Sequence, residues 1–278
     1  MNCIEINISL EGTSNQDIKD SIIALLSEHP FDSFAENENG ISAYIPVDLY
    51  DENQILETLK ETKLMFPFSW EINKIEDQNW NKTWEENYPD VTIAGRCHIR
   101  APFHPVNTEV EFDLLIEPKM SFGTAHHETT SMMIELLLDE DVADLDVLDM
   151  GCGTGVLAIL AAKKGAKNIL AIDNDEWAYK NSLENVERNN CSDIIVKMGD
   201  EQAIGNVKFD LIIANINRNI LLQQIDSYAA ALKPGGKLFM SGFYENDIHH
   251  LMEKAEPHGL KLQTKLNKNK WSAIVLEQ

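Results

Sequence analysis

The chain has 278 residues, 44% of them apolar, which is the composition of an ordinary globular protein and enough for one large domain or two unequal ones. Its formal charge of −23 disfavours free nucleic acid and anionic lipid as principal partners and favours a basic protein, although an acidic surface that only aids solubility is equally compatible. No apolar run reaches the roughly 18–20 residues of a membrane span, and the start MNCIEINISLEG lacks the features of a signal peptide.

The first 76 residues predict a small α+β domain. Alternating apolar and polar residues predict strands, and apolar residues at helical spacing predict helices. Strands are predicted at 4–10, 31–36, 41–47 and 70–75, with one helix through Ile18, Ile22, Leu25 and Leu26 and another through Ile55, Leu56 and Leu59. The order β-α-β-β-α-β is that of the ferredoxin-like split motif.

This region is also strongly acidic. It contains 4 Lys/Arg and 15 Asp/Glu, so its charge is 4 − 15 = −11. It has no obvious catalytic residues, which favours a docking domain for a basic partner. A solvated surface without a partner is the alternative.

Residues 77–89 predict a linker helix. Trp80, Trp84 and Tyr88 follow at four-residue steps on one helical face, and Pro89 ends the helix. We expect this face to pack on a neighbouring domain rather than to hold an aromatic ligand.

From residue 90 to residue 278 the pattern becomes alternation of strands and helices. Apolar strands that alternate with helices predict a parallel sheet covered on both faces. The sixth and seventh strands, LKLQTKLNK and WSAIVLEQ, follow each other without a helix and predict an antiparallel hairpin, whereas LKPGG before the fifth strand predicts a turn.

A glycine loop, Asp149-Met150-Gly151-Cys152-Gly153-Thr154-Gly155, joins the first strand of this sheet to its helix. Glycine lets a backbone turn tightly and approach a ligand closely. The spacing is neither GxGxxG nor a P-loop, which disfavours a nicotinamide oxidoreductase. Asp149 would repel a pyrophosphate and suits the ammonium end of a ligand.

Three more polar residues end or follow the next strands. Asp173 ends the second strand and can accept both hydrogens of a ribose diol. Asp200 follows the third strand, where it or its backbone can reach an adenine edge, and Asn215 ends the fourth. Because ligands bind at the carboxyl ends of parallel strands, these residues predict one shared site.

The ordered motifs D-M-G-C-G-T-G, A-I-D-N-D, M-G-D and F-D-L-I-I-A-N-I resemble those of the class I S-adenosylmethionine-dependent methyltransferases. Together with F-G-T-A-H-H-E-T-T before the glycine loop, they resemble the PrmA family, which methylates amines of the large-subunit ribosomal protein L-eleven (L11). The resemblance implies a seven-stranded Rossmann-like sheet at 90–278 and a ferredoxin-like recognition domain at 1–76.

The same resemblance implies the cofactor, S-adenosylmethionine, and its contacts. It implies that Thr130, Gly151, Asp173 and Asn215 touch the cofactor, that Gly153 and Asp200 complete the site, and that Phe122 walls the pocket. Two positions depart from the family: Ala125 stands where glycine is common, and Glu176 where proline is common.

The paired histidines of residues 120–130, MSFGTAHHETT, do not predict a metal site. On a helix they would point about 100° apart, HHETT is not HExxH, and the four cysteines, Cys3, Cys97, Cys152 and Cys191, form no CxxC pair. The cysteine usage also suits a reducing cytoplasm. We expect Thr124 to cap the helix, and His127 to orient the loop by hydrogen bonding or, alternatively, to accept a proton.

The sequence therefore predicts a monomeric cytoplasmic enzyme that methylates lysine or N-terminal amines of L11. Asn215 is the candidate for positioning the neutral amine, and no general base is assigned. Alternatives are a methyltransferase for another protein or a small-molecule amine, and a binding module that has lost catalysis.

Overall fold

The computed structural model describes residues 3–10, 16–37, 39–75, 88–117, 119 and 123–278. The chain divides into two compact units, Met1–Asn87 and Tyr88–Gln278. Most of the predicted linker helix, including Trp80 and Trp84, lies outside the described residues, and so does Phe122.

The first unit contains one antiparallel sheet and two helices in the predicted order. These elements are β1 (Cys3–Leu10), α1 (Gln16–Leu26), β2 (Ser33–Asn37), β3 (Gly40–Pro46), α2 (Glu52–Met65) and β4 (Phe68–Ile75). The strand order is β2-β3-β1-β4. The alternate residues Ile4, Ile6 and Ile8 of β1 are buried in a core that includes Ile22 of α1 and Leu59 of α2. Asp51 caps α2 by accepting hydrogen bonds from the Asn53 and Gln54 amides.

The second unit begins with a small sheet that the sequence analysis did not predict. Its strands are β5 (Val91–Ile93), β6 (Cys97–Arg100) and β7 (Phe112–Leu115), with β6 in the middle. β5 is antiparallel to β6, and β7 is parallel to it.

The remainder of the second unit alternates strands and helices. Its elements are α3 (Glu128–Asp139), β8 (Asp146–Met150), α4 (Val156–Lys163), β9 (Asn168–Asp173), α5 (Glu176–Arg188), β10 (Ile194–Met198), β11 (Phe209–Asn215), α6 (Arg218–Ala231), β12 (Leu232–Tyr244), α7 (Ile248–Ala255), β13 (Lys261–Lys268) and β14 (Trp271–Glu277). The strands form a seven-stranded mixed sheet in the order β10-β9-β8-β11-β12-β14-β13, with β14 antiparallel to both neighbours.

Two apolar cores cover the faces of this sheet. Buried residues of α3 and α4 belong to one core, and buried residues of α6 and α7 belong to the other. The central strands β8, β9 and β11 are almost entirely buried because both faces are covered, whereas the edge strand β13 is exposed. None of the described helices is both long and apolar enough to cross a bilayer.

The prediction of a turn at LKPGG was wrong in one respect. These residues already belong to β12, where the pairing with β11 jumps from Phe209↔Leu232 to Leu211↔Lys237. The proline and glycines thus form a bulge within a strand rather than a turn before it.

Candidate active site

The glycine loop runs from the end of β8 to the start of α4. The amides of Gly151 and Cys152 both donate to the Ile172 carbonyl of β9, at 2.8 and 3.1 Å. These bonds hold the loop against the neighbouring strand at the carboxyl edge of the sheet, where ligands of open α/β sheets bind.

Asp149 lies beneath this loop and is only 1% exposed. Its Oδ2 accepts a hydrogen bond from the Ala158 amide at 3.1 Å, whereas its Oδ1 is buried without a hydrogen-bond partner. Burial raises the pKa of Asp149 to about 7, the Ala158 bond opposes this rise, and the nearby Asp173 carboxylate adds to it. An unpaired buried carboxylate oxygen is costly, so Asp149 is an unsatisfied acceptor at the base of the glycine loop.

Asp173 links the glycine loop to the next strand. Its Oδ2 accepts from the Gly153 amide at 2.8 Å and its Oδ1 from the Asp175 amide at 3.0 Å. Each carboxylate oxygen has a second lone pair, and the side chain is half-buried, so it can still accept from hydroxyl groups.

Asp200 lies next to Asp173 along the sheet edge. The Gly199 amide donates to the Asp173 carbonyl at 2.9 Å, which holds the turn after β10 against the end of β9. The exposed Asp200 side chain accepts from the Gln202 amide at 3.0 Å and caps the short 3-10 helix Glu201–Ile204. The predicted site residue thus also begins a helical turn.

Asn215 and Thr130 meet across the sheet edge although they are 85 residues apart. The Asn215 Nδ2 donates to the Thr130 Oγ1 at 3.1 Å, and Thr130 is buried in the first turn of α3. No side chain or amide of the described residues donates to the side-chain oxygen of Asn215, Oδ1, which leaves this oxygen as an acceptor for an incoming N–H group.

Ile216 holds this pair next to the glycine loop. A Cβ at Gly151 would lie 2.2 Å from the Ile216 Cγ2, and one at Gly242 would lie 2.1 Å from the Ile216 carbonyl oxygen. Both glycines have positive φ angles, 70° and 99°, which glycine adopts without strain. The chain after Asn215 therefore passes closely between two glycines, and Gly242 is a functional candidate that the sequence analysis did not identify.

The predicted cap of α3 was wrong. Thr124 does not cap the helix; His127 does, with its Nδ1 accepting from the Thr129 amide at 3.3 Å and the Thr129 hydroxyl at 2.8 Å. Both histidines thus precede the helix instead of lying on it. Because Nδ1 is the acceptor, the ring hydrogen lies on Nε2, and a proton taken up at Nδ1 would break the cap. Glu128 lies in the first turn, where its charge suits the helix dipole.

Ala125 has a left-handed backbone, with φ 67°, and is buried. We expect Ala125→Gly to stabilise the protein by about 0.5–1 kcal/mol, because a Cβ is unfavourable in this conformation. This corresponds to a rise in Tm of about 1–4 °C by calorimetry. Ala162→Gly, within the helix α4, is the matched control and should lower Tm. An equal loss of stability in both variants would contradict the strain at Ala125.

Sequence reasoning also did not identify an aromatic group beside α3. The Trp271 ring lies 4.9 Å from the His127 ring and 4.5 Å from the Tyr244 ring, measured between centroids. Trp271 starts β14 and pairs with Tyr244 at the end of β12, so both lie at the same sheet edge as Asn215. Next to them, Asn269 donates to the Glu128 carboxylate at 2.6 Å.

Among the described residues, no three His, Cys, Asp or Glu side chains converge as a metal site would require. The predicted candidates instead form two hydrogen-bonded pairs, Gly153–Asp173 and Asn215–Thr130, joined through the contact of Ile216 with Gly151. The arrangement offers acceptors for a cation, a diol and an amine at one edge of the sheet.

The family model and the curated relatives match nearly the whole chain. The family model described as ribosomal protein L11 methyltransferase (PrmA) matches residues 6–278. The ribosomal protein L11 methyltransferase of Bacteroides fragilis is 47% identical and covers 92% of this chain and 93% of its own length. That of Chlorobaculum parvum is 34% identical, with 98% and 96% covered. The crystal structure of ribosomal protein L11 methylase from Lactobacillus delbrueckii subsp. bulgaricus superposes with a TM-score of 0.63 at 28% identity, covering 68% of this chain and 98% of that chain.

Proposed function

Because this chain belongs to the ribosomal protein L11 methyltransferase family, we propose that it transfers methyl groups from S-adenosylmethionine to lysine and/or N-terminal amines of ribosomal protein L11. The observation that carries the proposal is the family match over residues 6–278, which spans both units. A methyltransferase for another protein or a small-molecule amine is the alternative.

The residues at the sheet edge fit the proposed cofactor. The unpaired Oδ1 of Asp149 suits the end of the cofactor that carries the ammonium group, and Asp173 suits the ribose diol. The close approach at Gly151 leaves no room for a side chain beside the loop. Gly153, Asp200 and Thr130 complete the proposed set. Phe122 lies outside the described residues, and its role as a wall of the cofactor pocket stays a prediction.

When bound, the cofactor supplies a methyl group that its sulfonium has already activated. The chain then has to hold a nucleophile in line and exclude water. Asn215 is the proposed positioning group, because its nitrogen is engaged by Thr130 and its oxygen can accept from the amine N–H.

The amine must be neutral to react. An alkyl ammonium has an unperturbed pKa of about 10.4 and an α-ammonium one of about 8, and desolvation lowers both. The Trp271 and Tyr244 rings lie against each other at the same sheet edge, and their apolar faces favour a desolvated amine.

The first unit is the proposed substrate-recognition domain, and its strand order β2-β3-β1-β4 supports a ferredoxin-like fold. Its residues 1–76 carry a charge of 4 − 15 = −11, which favours a basic protein surface over an anionic one. A monomer acting in the cytoplasm is part of the proposal.

The test is methyl transfer by the full chain from labelled S-adenosylmethionine to purified L11. We expect label on amines of L11, located by mass spectrometry, and little on an unrelated basic protein of equal charge. Equal labelling of both proteins, or label only in RNA or small molecules, would contradict L11 as the substrate.

A further inference from the structure

The segment Tyr88–Asp90 is held by three histidines, one for each residue. His104 Nε2 donates to the Tyr88 carbonyl at 2.7 Å, and His126 Nε2 donates to the Pro89 carbonyl at 2.9 Å. His98 Nε2 donates to the Asp90 carboxylate at 2.6 Å. We call His98, His104 and His126 the histidine clasp.

Two members of the clasp are held in turn by the small sheet and by the connection between β6 and β7. His98 is buried, and its Nδ1 lies 2.7 Å from a carboxylate oxygen of Asp113 in β7. His104 Nδ1 accepts from the Ala101 amide at 3.1 Å, which leaves its hydrogen on Nε2, where it donates to Tyr88. These two histidines therefore present fixed donors to the segment.

The third member, His126, belongs to the active-site loop 123–127. Its Nδ1 is 3.1 Å from the Thr124 hydroxyl, and its ring packs edge-on against the Tyr88 ring at 4.9 Å. The clasp thus joins the active-site loop to a segment that two other histidines hold in place.

The loop has two further attachments, and both lead to the candidate active site. The Thr154 hydroxyl of the glycine loop donates to the Gly123 carbonyl at 2.7 Å, and His127 caps α3, which carries Thr130. Ala125, between these points, has the unfavourable left-handed backbone. A loop with a strained residue needs firm attachments on both sides, and His126 supplies one of them.

We propose that His126 is a positioning residue, and that the clasp sets the placement of loop 123–127, and hence of Thr130, against the cofactor. The proposal rests on the proposed function for the identity of the cofactor. It assigns to residues 88–90 the role of a fixed support for the active site.

The test compares His126→Ala with His126→Gln, whose amide nitrogen can replace the Nε2 donor. We expect His126→Ala to raise the KM for S-adenosylmethionine about three- to tenfold with a smaller change in kcat, and His126→Gln to restore most of the loss. His104→Ala should raise the same KM although His104 contacts no proposed cofactor residue. His258→Ala, which removes a bond to Asp226 elsewhere, is the matched control.

Hydrogen exchange gives a second readout that does not need activity. Amides of residues 123–130 should exchange faster in His126→Ala and His104→Ala than in the wild type, and not in His258→Ala. Unchanged exchange and unchanged KM in His104→Ala would overturn the clasp. A wild type without methyl transfer, but with the expected exchange pattern, would instead overturn the proposed function and leave the clasp standing.

Discussion

Replacing Asp149 by asparagine should stabilise the cofactor-free protein at pH 8. The pKa of Asp149, about 7 in the folded protein, is well above the ordinary 3.8. Ionising this buried group costs on the order of 4 kcal/mol, since each pKa unit corresponds to about 1.4 kcal/mol. Asparagine removes that cost but leaves an unpaired amide N–H group, which costs about 1–3 kcal/mol. We expect a net gain of about 1–3 kcal/mol in the free energy of unfolding.

The gain should depend on pH in a defined direction. Because the folded-state pKa of Asp149 is raised, the folded state holds a proton that the unfolded state has lost between pH 4 and pH 7. The contribution of the protonated Asp149 carboxyl to wild-type stability is therefore fully present below about pH 4 and lost as the pH rises to 7. Denaturant unfolding of both proteins at pH 5 and pH 8 tests this. An equal difference at both pH values would contradict the buried, partly protonated carboxyl.

The same substitution should weaken cofactor binding. A charge-assisted hydrogen bond contributes about 1.5–3 kcal/mol, so we expect the Kd of S-adenosylmethionine to rise roughly 10- to 100-fold in Asp149→Asn. In the wild type, binding of the cation should release a proton below pH 7, and calorimetry in buffers of different ionisation enthalpy measures that release. A more stable variant with unchanged affinity would show that Asp149 does not face the cation.

Asn215→Ala should lower kcat about 100-fold. The carboxamide is held by Thr130, and its oxygen is the acceptor that we propose for the amine, so its loss should misalign the nucleophile. The Kd of the cofactor should change less than kcat, because Asp149, Asp173 and the glycine loop remain. Steady-state kinetics with L11, combined with calorimetry of cofactor binding, separate the two effects.

Thr130→Val is the matched control for Asn215. It keeps the shape of the side chain but removes the hydroxyl that accepts from Asn215. We expect a loss of about three- to tenfold in kcat, smaller than for Asn215→Ala, because the amide is still present but less firmly oriented. If Asn215→Ala retained kcat within twofold of the wild type, Asn215 would not position the amine.

The placement of the proposed cofactor residues at one sheet edge could be predicted because its signals are local in the chain. Glycines after a strand, and acids at the ends of neighbouring strands, mark one edge of a parallel sheet before any contact is known. The residues that pack against the glycine loop could not be predicted in the same way. The fit of Ile216 between Gly151 and Gly242 depends on close approach between segments far apart in the sequence.

The wrong predictions, for the small sheet, the cap of α3 and the turn at LKPGG, also arise from contacts between segments far apart in the sequence or from elements too short to show a pattern. Strands of three and four residues, such as β5 and β6, are too short to show periodicity. β6 also contains the buried His98, whose hydrogen-bond partners lie outside that strand. Threonine is the commoner cap, but the left-handed Ala125 turns the chain so that the helix begins after His127. The residues of LKPGG favour a turn, and pairing with β11 makes them a bulge in β12.

A crystal structure with bound S-adenosylmethionine would show whether the glycine loop and the strand ends hold the cofactor. We expect the cofactor at the carboxyl edge of the sheet, with its ribose hydroxyls at Asp173 and its methyl group near the Asn215–Thr130 pair. Cofactor found elsewhere, for example in the cavity lined by Glu245, His249 and Lys265, would contradict it.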